Sequence, residues 1–170
     1  MRFAARLRQR RRPALQVLAA CVCICLPACK QPPPAPDPLA GVWRLNLART
    51  RYSPSADPRR DEVMECTAFR SGVRCTITSV RSNGQRLVGR FAARYDGGSA
   101  PVSGMPGMDG VTLRRAGDRA VDATFTDHGT PVYGYRATRS PGGETLTVVS
   151  VDPATRAPLR SVVVYDRVSP

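Results

Sequence analysis

Alternation of apolar and polar residues is the strongest pattern along the chain. Between positions 86 and 95, Leu87, Gly89, Phe91, Ala93 and Tyr95 share one side of an extended backbone, and Arg86, Val88, Arg90, Ala92 and Arg94 share the other. Strand side chains point to opposite faces in turn, so this segment buries one face and wets the other. The same reading predicts strands over residues 42–47, 64–69, 73–80, 111–115, 120–126, 132–138, 145–151 and 159–167. Turn-forming residues punctuate them at Arg70-Ser71-Gly72, Ser82-Asn83-Gly84, Asp96-Gly97-Gly98, Ala116-Gly117-Asp118, Asp127-His128-Gly129 and Pro141-Gly142-Gly143. No helical period is sustained, and no unit repeats. The fold class is therefore all-β. A meander of short antiparallel strands hides its edges by closing into an up-and-down barrel of roughly eight to ten strands. A β-sandwich is the alternative.

In a barrel, Trp43, Leu45, Leu87, Phe91, Tyr95, Phe125, Tyr133 and Tyr135 become the candidate interior residues. Gly89, Ala93 and Gly134 would leave room among them. Apolar walls with a few polar tips suit a small-molecule pocket, although a small barrel can also be filled by its own side chains. The longest irregular stretch, residues 96–110, carries Met105-Pro106-Gly107-Met108 and is the candidate lid or contact loop.

The first 29 residues follow a different rule. Arg2, Arg6, Arg8, Arg10, Arg11 and Arg12 precede an apolar run from Ala14 to Ala28, which ends at Leu26-Pro27-Ala28-Cys29. A basic head, a short apolar stretch and small residues before a cut site mark an export signal. The run is too short for a comfortable membrane-spanning helix. With a cysteine at its end, the segment 1–28 resembles a bacterial lipoprotein signal peptide. That resemblance implies cleavage before Cys29 and a lipid on Cys29. Cys21, preceded by Leu18-Ala19-Ala20, is the alternative anchor. Residues 29–39 include Pro32, Pro33, Pro34, Pro36 and Pro38 and read as an extended tether. Residues 40–170 remain as a single domain of about 130 residues. The expected location is the bacterial cell envelope, lipid-anchored and facing the periplasm. Lys30, standing where inner-membrane retention would call for Asp, points to the outer membrane.

Loss of residues 1–28 reduces the net charge from +13 to +7, from 20 basic and 13 acidic residues. The arginine bias accompanies abundant Ala, Gly and Pro and reflects genome composition. An exported chain is not expected to meet nucleic acid. Cys66 and Cys75 are the cysteines that remain in the domain, and they flank the turn Arg70-Ser71-Gly72. Folding residues 62–69 onto 73–80 sets Cys66 nearly opposite Cys75. With a two-residue loop this is a narrow pair that a disulfide spans, and a bulge at Gly72 would shift the register by one.

Candidate chemistry is sparse. His128, the single histidine, sits in a turn and lacks a second histidine for a zinc site, so no metal is assigned. No nucleophile elbow, P-loop or dinucleotide fingerprint occurs. Asp118, Asp122 and Asp127 read as turn and outer-face residues. No catalytic residue and no cofactor is assigned, and the chain is not expected to be an enzyme. The outward Arg86, Arg90 and Arg94, with Arg114 and Arg115, form either a solvated face or a basic strip for lipid phosphates or an acidic partner.

Gly41-Val42-Trp43 opens the first strand and Tyr165-Asp166-Arg167 closes the last. In this pairing the chain resembles the lipocalin and fatty-acid-binding superfamily, and with it small exported bacterial lipocalin-like proteins. Tyr52-Ser53-Pro54, Tyr95-Asp96-Gly97, Pro101-Val102-Ser103-Gly104 and Val163-Val164-Tyr165 add to that likeness. The lipocalin T-D-x-x-Y motif is interrupted, since Thr126-Asp127 is followed by His128-Gly129-Thr130. The resemblance implies that Arg167 packs over Trp43 and closes the barrel base, a cation–π pair joining the two chain ends. It also implies a membrane-tethered binding module for a small apolar or amphipathic ligand. The alternative is an envelope interaction or inhibitor lipoprotein whose solid barrel works through surface loops on a protein partner.

Overall fold

The computed structural model describes residues 36–54 and 58–168. The segment read as an export signal, both candidate anchors Cys21 and Cys29, and the stretch read as a tether as far as residue 35 lie outside the described residues. Ten strands follow one another: β1 (Gly41–Leu45), β2 (Arg59–Phe69), β3 (Gly72–Arg81), β4 (Arg86–Arg94), β5 (Asp96–Ser103), β6 (Gly110–Arg115), β7 (Ala120–Asp127), β8 (Thr130–Arg139), β9 (Thr145–Val151) and β10 (Pro158–Arg167). Each pairs antiparallel with its sequence neighbour, and β1 pairs with β10 to close the barrel. The all-β meander and its closure thus hold, and the sandwich does not.

Alternation explains the walls. In β4 the buried residues are Gly89, Phe91 and Ala93, and in β7 they are Val121, Ala123 and Phe125. Inward side chains form one continuous core that includes Trp43, Val73, Cys75, Val111, Leu113 and Leu146. Full burial of one such aliphatic side chain stabilises the fold by about 1.5–3 kcal/mol. Tight turns set the register between strands. Asp127 pairs with Thr130 around His128-Gly129, whose φ values of 49° and 81° are the left-handed pair that a two-residue hairpin requires.

The segment 96–110 departs from expectation. Its first part, Asp96–Ser103, is strand β5 rather than an irregular loop. Gly97, Gly98 and Pro101 are poor strand formers, so the local sequence hides a strand that its neighbours impose. The register shifts between Asp96 and Ser99, where a Cβ on Gly97 would overlap the Arg114 guanidinium.

The barrel base is closed by the chain that enters it. Pro38 is fully buried and Leu39 is 2 % exposed, although both fall in the stretch read as a spacer. Asp37 Oδ1 accepts from the backbone N–H of Leu39 and Ala40, and the Tyr95 hydroxyl donates to Asp37 at 2.8 Å. Trp43 Nε1 donates to Leu39 O at 2.8 Å. A tethering sequence with nothing to bury would not dock in this way. Here Pro38 and Leu39 supply apolar surface and Asp37 supplies acceptors.

Candidate functional site

A cavity of about 680 Å³ occupies the barrel interior, running from Leu39 at the base toward the opposite end. Exposed Pro106, Leu159 and Arg160 stand on its rim. Strands β1, β5 and β6 contribute no strand residue to its lining. The inward residues Trp43 of β1 and Val111 and Leu113 of β6 are instead fully buried in the packed core.

One sector of the wall is apolar. Phe125, Tyr133 and Tyr135 form a cluster with ring centroids 6.0–6.1 Å apart, and Leu87, Gly89 and Met105 lie further round. A Cβ on Gly89 would overlap Met105, so the methionine side chain folds over a bare stretch of strand. Thioether chains adapt to irregular contents, which suits a wall at the mouth of a cavity.

The other sector is polar and centres on Glu62, which is 3 % exposed. Arg59 Nη1 donates to Glu62 Oε1 at 3.1 Å and Arg59 Nε lies 3.1 Å from Oε2. Tyr165 donates to Oε1 at 2.5 Å, and Ser79 donates to Oε2. A buried carboxylate is tolerable only when its lone pairs are met by donors, and here all four donors are present. Burial would pull the Arg59 guanidinium down, but Glu62 beside it outweighs that and holds its pKa above the ordinary value. Burial first, and Glu62 second, push the Tyr165 phenol well up. Burial likewise raises Tyr135 and Tyr52. Among the described residues the buried Tyr52 hydroxyl makes no well-formed hydrogen bond, with only the Arg59 backbone N–H reaching toward it. Tyr133 and Ser150 meet at 3.2 Å on the same side of the cavity.

Among the residues expected in a pocket, Leu87, Phe125, Tyr133 and Tyr135 line the cavity. Leu45, Phe91 and Tyr95 do not. Leu45 pairs with Tyr165 on one side, while Val63, next to Glu62, pairs with Arg44 on the other, so the Tyr165–Glu62 bond passes over it. Phe91 packs edge-on against Phe125 at 6.0 Å within the core and does not reach the cavity. Tyr95 is spent at the base on Asp37, with Arg115 4.9 Å above its ring. Gly134 faces outward rather than into the barrel. Arg156 lies over it, donating to Ala123 O and Tyr135 O and pairing with Asp122 at 3.0 Å.

Trp43 and Arg167 are register partners across β1 and β10, with the guanidinium carbon 5.8 Å from the indole centroid. Arg139 stands over the same ring at 5.7 Å. Cys66 and Cys75 face each other directly in a disulfide with a Cα–Cα distance of 4.2 Å, around the two-residue loop Arg70-Ser71. The proposed arginine strip is broken up. Arg94 pairs with Asp96 at 3.3 Å, and Arg115 turns to the base, 3.7 Å from Asp37. His128 stands exposed at a hairpin tip, its Nδ1 3.6 Å from Asp109 and its Nε2 3.8 Å from Asp127.

Sequence reasoning missed Arg59, Glu62 and Ser79. Parity alone would have exposed Glu62, which shares a strand face with Met64 and Cys66. The charged run Arg59-Arg60-Asp61-Glu62 disguised it as solvated chain. Comparison with protein-family models, with curated proteins and with solved structures finds no match for this chain.

Proposed function

We propose that this protein is a lipid-anchored cell-envelope binding module of lipocalin-like type, holding a small apolar or amphipathic molecule in its barrel and performing no catalysis. The supporting observation is the cavity of about 680 Å³, apolar over much of its wall and polar around Glu62. Pockets that bury a small ligand span roughly 300–1,000 Å³ and combine apolar walls with a few fixed polar groups. The same volume weighs against a solid barrel that acts only through its loops. Attachment through Cys29, with the outer membrane as destination, belongs to this reading and rests on the sequence of the first 30 residues.

Native mass spectrometry of the full-length protein, purified from the cells that make it, tests the reading. A retained lipid or small hydrophobe is the expected result. A clean unliganded mass, together with no uptake of fluorescent hydrophobic probes, overturns the ligand. Cys29→Ser is expected to release the protein from membranes, and persistent attachment would transfer the anchor to Cys21.

A further inference from the structure

The geometry points to a phosphate monoester as the head of the amphiphile that this cavity holds, gripped at the mouth by Arg59 and Arg160 with the tail inward. This deepens the ligand-binding reading above and rests on it. Arg59 opens β2 and Arg160 lies near the start of β10, and both line the cavity. Residues 51–53 connect the two strands at this end of the barrel. Arg51 bridges to Val162, Ser53 N–H donates to Ser161 Oγ at 2.9 Å, and the Arg59 backbone N–H reaches toward the Tyr52 hydroxyl. Arg81 is the cross-strand partner of Arg59 and lines the same cavity. Among the described lining residues, three guanidiniums thus stand against one carboxylate, Glu62.

Glu62 is fully served by its own donors from Arg59, Ser79 and Tyr165, and it is 3 % exposed. Arg59 spends Nε and Nη1 on that carboxylate, and among the described residues its Nη2 makes no hydrogen bond. Its side chain is 33 % exposed, so the open edge belongs to the wall that contents touch. Arg160 is exposed on the rim, and among the described residues its guanidinium makes no hydrogen bond or ion pair. Guanidinium is donor-only, so both open edges call for an acceptor, and their charge favours an anion. A head shared between the two strands must accept from two directions. Phosphate offers three terminal oxygens and close to two negative charges near neutral pH, so each guanidinium takes an oxygen of its own. A carboxylate is planar and is satisfied by one guanidinium fork, which leaves the other open edge unmet. The tail then runs inward past Phe125 and Val148 toward Leu146 and Leu39, where the lining is apolar.

Four probes test this on the full-length protein, each kept below its micelle concentration: dodecyl phosphate, lauric acid, dodecanol and inorganic phosphate. Affinity is read from the rise in unfolding midpoint with ligand concentration. At slightly alkaline pH, dodecyl phosphate is expected to bind about tenfold more tightly than laurate or dodecanol, the margin of one charge-assisted hydrogen bond. Its lead over laurate should shrink at about pH 5.5, where phosphate loses its second charge and the carboxylate keeps its own. Arg160→Gln should weaken dodecyl phosphate about tenfold and leave dodecanol unchanged. Unchanged phosphate affinity in that variant overturns the inference, as does laurate binding as tightly as dodecyl phosphate. Inorganic phosphate protecting as well as dodecyl phosphate also overturns it, leaving an anion site without a tail. Equal binding of dodecanol and dodecyl phosphate overturns it too, while leaving the cavity as a binding site. Failure of all four probes removes the binding function itself.

Discussion

Tyr165 and Glu62, 103 residues apart in sequence, share a hydrogen bond of 2.5 Å across strand β1. The bond ties β10 to β2 on the inside of the barrel, just where the sheet closes. It also completes the set of donors that lets a carboxylate sit in the cavity wall.

Glu62→Ala should therefore be among the most damaging substitutions in the chain. It leaves the half-buried Arg59 with no counter-charge, a loss of about 1–3 kcal/mol once partial exposure to water is allowed for. Replacing both members as Arg59→Met/Glu62→Gln should cost much less. Urea unfolding midpoints check this, and similar losses for the single and double variants would show that the pair is not the stabilising unit.

Tyr52→Phe should act in the opposite direction. Among the described residues its buried hydroxyl makes no well-formed hydrogen bond, with only the Arg59 backbone N–H reaching toward it, so deleting it removes a desolvation cost and stabilises the fold by about 0.5–1 kcal/mol. A lower unfolding midpoint for the variant would mean that the hydroxyl is bonded in solution.

Alkaline pH should unfold the protein cooperatively. Burial raises the phenols of Tyr52, Tyr95, Tyr135 and Tyr165, four of the five tyrosines, above their ordinary value. Groups raised in the folded state contribute stability that is complete below the unfolded pKa of about 10 and is lost as pH climbs above it. Tyrosinate absorbance and loss of β-sheet circular dichroism are expected to rise together in one step. Gradual ionisation of all the phenols before unfolding would contradict the burial.

Asp122 sets the acid side. Its hydrogen bonds from Arg136, at 2.8 Å to each oxygen, hold its carboxyl below the usual range, with Arg156 adding to the effect. A carboxyl depressed in the folded state stabilises above its unfolded pKa of about 4, and that contribution disappears as pH falls through the folded value. Asp122→Asn should cost about 1 kcal/mol at neutral pH, and the difference from the parent should vanish in acid. A difference that is the same at both pH values would assign the loss to packing.

Reduction of the Cys66–Cys75 disulfide should cost about 2–3 kcal/mol, the chain-entropy value for the short loop closed across a separation of 9 residues. An unchanged midpoint in reductant would show that the β2–β3 ladder holds the two strands without help.

The fold was legible where each residue agrees with its neighbours. In β4 every second residue is apolar or small, and the turn signals on either side of β7 fall within one or two residues of the observed turns. The candidate site was less legible, because its polar half depends on partners that lie far apart in sequence. Glu62 looks like a surface acid until Ser79, 17 positions on, and Tyr165 are folded against it. Gly134 looked like cavity space on count alone, but its place in β8 puts it on the outer face, where it accommodates Arg156. Strand β5 escaped notice because β6 and the middle of β4 impose its conformation, and its own residues do not favour it.

Among the described residues, Asp37, Pro38 and Leu39 stop one end of the barrel. On the binding function proposed above, contents would enter and leave at the other end, so a second molecule would wait until the first has gone. Turnover of contents is then governed by how quickly the barrel empties, and the cluster around Glu62 and the flexible Met105 side chain are where that rate would be adjusted.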